Sequence, residues 1–271
     1  MATRDEKEQA FRYDLFITPD WRDRFDTLIN ESIKLPVEGR FLDVNCGTGA
    51  HAIELAERMR GKGDVIGVDP GSERIAIARA KAQVKKLDNV TFQQAIGSDL
   101  PFEIDNFSIV IGDASLLRTN EVQDLFEELT RVAQAEGRVI LKLITRGSFD
   151  EFFSIYWEAL NDIGMADEVW TALEQLINDR RTVSDVEQMA AGLGLQKIET
   201  FVTKELFGYE TAEEFLESPL IEDSFLEEWF EFLPEAGLTE VRERIKVIID
   251  RERHGAPFEV SVKATIVTGI K

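Results

Sequence analysis

Arg40-Phe-Leu-Asp-Val-Asn-Cys-Gly-Thr-Gly-Ala50 is the stretch on which the reading of this chain turns. A short, largely apolar run stops at Gly47 and Gly49, and Ala52, Ile53, Leu55, Ala56 and Met59 follow at helical spacing. The pattern predicts a strand, a glycine turn and a helix. Such a turn lets a ligand approach the backbone closely, beside the positive end of the helix. Twenty residues after Gly49, Asp69 ends a second apolar run, Asp64-Val-Ile-Gly-Val-Asp69. A carboxylate at that place can accept hydrogen bonds from both hydroxyls of an adenosine ribose.

Upstream, the spacing of Phe25, Leu28, Ile29 and Ile33 predicts a mainly helical segment from about Glu6 to Leu35, ended by Pro36. Downstream, a helix capped by Ser72 carries Ile75, Ala76, Ala80 and Val84. Strands follow at Val90–Ala95, Phe107–Ile111 and Val139–Ile144, with an amphipathic helix marked by Val122, Leu125, Phe126, Leu129 and Val132 before the last of them. Strands alternating with helices at this spacing give a parallel sheet with helices on both faces. After Gly147 the rhythm breaks: Phe149 to Asp179 reads as helical, Ser184-Asp-Val-Glu187 and Thr211-Ala-Glu-Glu214 are capping-box patterns, and a sixth strand is expected over Lys197–Phe207. Helices then run to a break at Pro234 and again from Thr239 to Arg253, before a closing strand in which Phe258, Val260, Val262, Ala264 and Ile266 share one face.

The 271 residues carry 52 acidic and 31 basic side chains, a formal charge of −21 that argues against gripping a phosphate backbone. Acid is concentrated between Asp150 and Glu235, which reads as a solvated surface or as a field that steers a cationic substrate. A hydrophobic fraction of 44% is that of a globular protein. No apolar run is long enough to span a membrane, the N-terminus lacks the apolar core of a signal peptide, and the single cysteine, Cys46, excludes an intrachain disulfide or a Cys/His zinc cluster. These features point to a cytoplasmic protein with no metal site and no nucleic-acid or membrane partner.

Gly47-Thr-Gly-Ala-His-Ala52 also satisfies the fingerprint of nicotinamide and flavin enzymes. Asp43 inside the first strand tilts the choice, because a carboxylate there would face a pyrophosphate but would stabilise an ammonium and a sulfonium. The phrase Asp99-Leu-Pro-Phe102 followed by Asn106-Phe-Ser-Ile-Val110, and a final strand preceded by a helical insertion, have no counterpart in that fingerprint.

With these residues in place, the chain resembles the class I S-adenosylmethionine-dependent methyltransferases over about residues 36–146 and 182–271. Phe41-Leu-Asp-Val-Asn-Cys-Gly-Thr-Gly49 is similar to the family's first motif, Val65-Ile-Gly-Val-Asp69 to its second, and Gly137-Arg-Val-Ile-Leu141 to its fifth-strand motif. The resemblance implies a Rossmann-like, doubly wound, seven-stranded, mostly parallel sheet with an antiparallel C-terminal strand and a helical lid. It implies S-adenosylmethionine as cofactor, with Asp43 near the methionine ammonium, Gly47 and Gly49 letting the methionine part pass, Asp69 on the ribose and Pro70 beside the adenine. Asn45, Cys46, Ala95, Ile96 and Asp113 complete the expected cofactor set. Asn45 replaces a frequent glycine of the family, which predicts a turn without positive φ there. Ile96 stands where many members carry an acid, leaving the adenine amino group to backbone or to Asp99.

Other roles stay open for several of these residues. Asp43 could cap the backbone of the turn, Cys46 reads as a small packing residue, His51 as a surface or capping group as readily as a proton acceptor, and His254 as a helix-end group. Residues 1–35 are expected to form a helical cover, 36–146 the cofactor-binding half, 147–181 a helical lid insertion, and 182–271 the rest of the sheet with a second insertion at about 208–235, all in one compact domain. Residues 8–35 and 147–235 would supply the acceptor pocket, with Tyr13, Phe16, Trp21, Trp157 and Tyr209 as candidates, while the cluster Phe149, Phe152, Phe153, Tyr156 and Trp157 reads mostly as lid core with one or two members facing a substrate. The expected reaction is methyl transfer to a small-molecule acceptor by in-line displacement, which needs a general base only if the acceptor must lose a proton. No catalytic residue is identifiable. The alternatives are a catalytically silent or protein-directed binder of the same fold and an NAD-dependent oxidoreductase; the oligomeric state is open.

Overall fold

The computed structural model describes residues 4–252 and 254–271. Seven strands form one sheet in the order β3-β2-β1-β4-β5-β7-β6. They are β1 (Gly39–Val44), β2 (Gly63–Asp69), β3 (Val90–Gln94), β4 (Phe107–Asp113), β5 (Ala133–Ile144), β6 (Gln196–Tyr209) and β7 (Phe258–Ile270). Neighbours among β1 to β5 pair in parallel, with Asp43 of β1 level with Gly67 of β2 and Ile111 of β4. β7 runs against β5: Lys271 pairs with Glu136 and Gly137, and Lys263 with Thr145. This is the Rossmann-like sheet with an antiparallel closing strand that the sequence leads one to expect.

The chain divides into two compact units, Met1–Leu143 with Val183–Thr203 and Ala264–Lys271, and Ile144–Thr182 with Lys204–Lys263. In the first unit, α1 (Arg4–Arg12), a wide π-helical turn (Tyr13–Arg22) and α2 (Asp23–Ser32) precede the sheet. α3 (Ala50–Met59), α4 (Ser72–Lys85), α5 (Val122–Val132) and α8 (Val183–Gly192) complete it. Its core is built from alternating positions of the strands and the apolar face of α5: Leu42, Val44, Val110, Leu125, Phe126, Leu129, Val139 and Leu141 are all buried. Each such side chain contributes about 2 kcal/mol through removal from water. A Cβ at Gly112 in β4 would stand 2.3 Å from Leu129 Cδ1, so any side chain there would have to displace that buried leucine.

The second unit contains α6 (Asp150–Asp162), α7 (Ala166–Asp179), α9 (Ala212–Glu217), α10 (Pro219–Ser224), α11 (Leu226–Phe230) and α12 (Glu235–Glu252). Phe149, Phe152, Phe153 and Tyr156 are buried, as the lid-core reading has it, and pack on Phe215, Phe225 and Trp229. The helical run from Phe149 to Asp179 is two helices, because Gly164 adopts φ +74° and turns the chain between them.

Three local expectations change. Ser72 and Ser184 lie inside their helices, which begin at Ser72 and Val183, so neither is a cap. At Thr211 the hydroxyl does accept from the Glu214 amide at 3.0 Å, but the Glu214 carboxylate takes the amide of Glu210. The last helix starts at Glu235, not Thr239. Among the described residues no helix is long and apolar enough to cross a membrane.

Candidate cofactor-binding site

The glycine turn joins β1 to α3 with Asn45 at φ +57°, Gly47 at +58° and Gly49 at +80°. Asn45 therefore does adopt the left-handed conformation that the sequence reading denied it. Asparagine tolerates this backbone better than other side chains, and its Nδ2 donates to the Asp113 carbonyl at 2.9 Å, which holds the turn against β4. The Cys46 amide donates to the Val68 carbonyl, continuing the β1–β2 ladder into the turn. Cys46 itself is buried, and burial pushes its thiol well above the ordinary range, as befits a packing residue.

Asp69 closes β2 with its carboxylate against the turn. One oxygen accepts the Gly47 amide at 2.9 Å; the other accepts the Gly71 amide and the Arg74 guanidinium, each at 2.8 Å. The Arg74 guanidinium stacks 5.1 Å from the Tyr13 ring centre. That ring lies on the turn, where a Cβ at Gly47 would be 2.7 Å from it. Pro70 and Ile96 border a hollow of about 230 Å³ with Asn45, Gly97, Leu117 and Leu125. Ala95 is half-buried beside it in sequence, its amide donating to the Asp69 carbonyl, and Ile96 is exposed.

Asp43 is fully buried, and neither carboxylate oxygen has a hydrogen-bond donor. Burial raises its pKa, and the fields of Lys142, His51 and Arg22 offset this only in part. A cap of the turn would engage the backbone, so the capping alternative does not describe this carboxylate. Around it lies a buried charge network. Lys142 pairs with Asp26 at 2.7 Å and Asp113 at 3.3 Å, and Arg22 with Asp113 at 3.1 Å. Burial alone would raise Asp113, but Arg22 and Lys142 hold it down at about 2. His51 is buried with Nδ1 3.3 Å from Asp26, which corrects the surface or capping reading. His254 does lie exposed beyond the end of α12.

The sequence-predicted residues Asp43, Asn45, Cys46, Gly47, Gly49, Asp69, Pro70, Ala95, Ile96 and Asp113 thus cluster at the carboxyl ends of β1, β2, β3 and β4. Asp113 is engaged by ion pairs and by the Ser115 amide at 2.8 Å. Sequence reasoning missed Arg22, Asp26, Arg74 and Lys142. A lysine inside the apolar run Val139–Ile144 was the available signal, since a buried cation demands partners. Of the acceptor-pocket candidates, Tyr13 lies on the turn, Trp21 is buried and donates to Ser115 Oγ at 2.9 Å, and Phe16 is exposed. Trp157 and Tyr209 belong to the second unit, against Trp170 and Phe215.

The residues fit S-adenosylmethionine on two counts. A buried carboxylate without donors is the complement of an ammonium group. Of the three buried carboxylates Asp26, Asp43 and Asp113, Asp43 is also the one that no lysine or arginine pairs with among the described residues.

A doubly wound sheet of this order, with a glycine turn between one acid inside β1 and another at the end of β2, defines a methyltransferase-type α/β fold. A family model described as a methyltransferase domain matches residues 37–206, and the chain belongs to that family. It is 31% identical over 114 residues to the uncharacterized methyltransferase YcgJ of Bacillus subtilis, covering 42% of this chain and 44% of that protein. It is 34% identical over 99 residues to a demethylmenaquinone methyltransferase of Lactococcus lactis, covering 36% of this chain and 39% of that one. The matches span less than half the length of these relatives. The crystal structure of YcgJ superposes with a TM-score of 0.59 at 20% identity, over 92% of this chain and 98% of that one. Phosphoethanolamine N-methyltransferase 2 of Haemonchus contortus, with phosphomonomethylethanolamine and S-adenosylhomocysteine, gives 0.58 at 16%, over 100% of this chain and 61% of that one. At these identities the structural likeness is one of fold.

Proposed function

We propose that this chain moves a methyl group from S-adenosylmethionine to a small-molecule acceptor by in-line displacement. The observation that carries the reading is Asp43, a fully buried carboxylate with no donor, at the end of β1 beside the glycine turn. The same cofactor is bound by the phosphoethanolamine methyltransferase of like fold. When bound, the cofactor supplies an activated methyl group. What remains for the chain is orientation and exclusion of water. Asp43 would hold the ammonium, and Gly47 and Gly49 leave room for the backbone to come close. Asp69 would take the ribose hydroxyls. Its Oδ1 already accepts from the Gly71 amide and Arg74 Nε, with Arg74 Nη2 2.7 Å away, so Arg74 must release it before both carboxylate oxygens can serve the ribose. Tyr13, whose hydroxyl accepts from Arg22 at 2.7 Å, would shield the turn from water.

Calorimetric titration with S-adenosylhomocysteine and, separately, NADH tests the reading. Saturable binding of the first and none of the second is expected, with Asp69→Ala abolishing the heat. NADH binding without S-adenosylhomocysteine binding would sink it. Release of S-adenosylhomocysteine in the presence of fractionated metabolites then separates an enzyme from a silent binder.

A further inference from the structure

The second unit has a large excess of acid over base, yet it holds donors that the chain leaves unmet. Arg180 follows α7, and its guanidinium carbon lies 5.7 Å from the ring centres of both Phe149 and Phe225. No carboxylate pairs with that guanidinium and no acceptor receives its N–H groups among the described residues; only the Arg180 carbonyl is engaged, by Arg146. Burial pulls its pKa down to about 10, against the fields of Glu228 and Asp179. The position is built, not accidental. Arg146 donates through Nε to the Arg180 carbonyl at 3.1 Å and through its amide to the Arg181 carbonyl at 2.9 Å, fixing the peptide from which both side chains project.

Two more donors lie close by in sequence or in packing. Arg181 Nε and Trp229 Nε1 are buried without partners. Trp229 packs on the same two rings over which Arg180 lies, at 5.0 Å from Phe149 and 5.3 Å from Phe225. Arg180 is half-buried, and donors that no group of the chain meets, set against aromatic rings, favour an acceptor-rich ligand; a planar guanidinium fork matches a carboxylate or a phosphate. A cationic ligand has no place on these ring faces, since Arg180 already occupies them.

We propose that Arg180 and the rings of Phe149 and Phe225 form a binding site for a small organic anion, a carboxylate or phosphate monoester on an apolar or aromatic body. The site lies within the second unit and stands independently of the cofactor reading. Titration calorimetry with benzoate, phenyl phosphate, benzamide and inorganic phosphate tests it, with S-adenosylhomocysteine titrated in parallel. Saturable binding of one or both aryl anions is expected, with benzamide and inorganic phosphate each at least tenfold weaker. Arg180→Gln should lose tenfold or more in aryl-anion affinity and Arg180→Lys should recover part of it, both with unchanged near-UV circular dichroism. Absence of saturable aryl-anion binding, benzamide binding as tightly as benzoate, or Arg180→Gln binding like the parent would overturn the proposal. Inorganic phosphate matching phenyl phosphate would overturn the apolar body.

Discussion

Replacing Asp43 by asparagine should move stability and binding in opposite directions. The wild-type carboxylate is fully buried without a donor, and its pKa is raised because burial outweighs the attraction of Lys142, His51 and Arg22. Below the ordinary aspartate pKa both the folded and unfolded chains carry the neutral acid, so the substitution changes little. As pH rises through the higher folded value, only the wild type carries the cost of a buried charge. At pH 7 Asp43→Asn should therefore be more stable by about 1 kcal/mol, the order of an unmet buried polar group, or about 2 °C in melting temperature. Ligand-free thermal unfolding between pH 4 and 8 measures this. In saturating S-adenosylhomocysteine, at about 100 times Kd, the wild type should gain about 2.7 kcal/mol. The variant should lose 10- to 100-fold in affinity with its charged hydrogen bond, which removes about 1.4–2.8 kcal/mol of binding energy. A variant that is less stable without ligand and binds S-adenosylhomocysteine like the wild type would refute the reasoning, and Asp43 would then be structural.

Asp113→Asn should behave in the opposite sense. The folded carboxyl is held at about 2 by Arg22 and Lys142, so its stabilisation is present at neutral pH and lost as pH falls from about 4 towards 2. Urea unfolding at pH 7 should show a loss of about 2 kcal/mol that shrinks in acid. Lys142→Met leaves Asp26 and Asp113 buried with less countercharge and should cost about 3–5 kcal/mol in the same assay. Gly49→Ala forces φ +80° on a side chain whose Cβ would stand 2.7 Å from the Phe92 ring and 2.8 Å from Ala78 Cβ. A cost of about 3 kcal/mol is expected from strain and overpacking, read by thermal unfolding. Arg74→Ala removes the group that competes for Asp69, and S-adenosylhomocysteine should bind more tightly, by up to about tenfold; weaker binding would assign Arg74 to the ligand instead.

The strand, glycine turn and helix at residues 40–59 and the acid ending β2 were legible because each is encoded locally. Apolar period, glycine punctuation and a terminal carboxylate lie within a few residues of one another. The alternation in β7 was equally plain: Phe258, Val260, Val262, Ala264 and Ile266 are buried, while on the opposite face Glu259 and Lys263 are exposed and Ser261 and Thr265 are covered. Asn45 was misjudged because its left-handed backbone depends on a hydrogen bond to Asp113, 68 residues away. Ser184 was misjudged because a cap pattern states a preference that the preceding residue can override by entering the helix.

By itself the sequence determined the order of strands and helices, the glycine turn and the two acids that bracket it, because periodicity and turn chemistry act over short spans. Which charges meet was decided only by the tertiary structure. Asp26, Asp113 and Lys142 stand on α2, β4 and β5. Their pairing follows from the π-helical turn and α2 being folded against the sheet, and a buried ion carries no local mark of its partner. The same holds for the two least expected features: Asp43 is left without a donor, and Arg180 lies over a pair of packed phenylalanine rings. Unmet polar groups are visible only once every neighbour is in place.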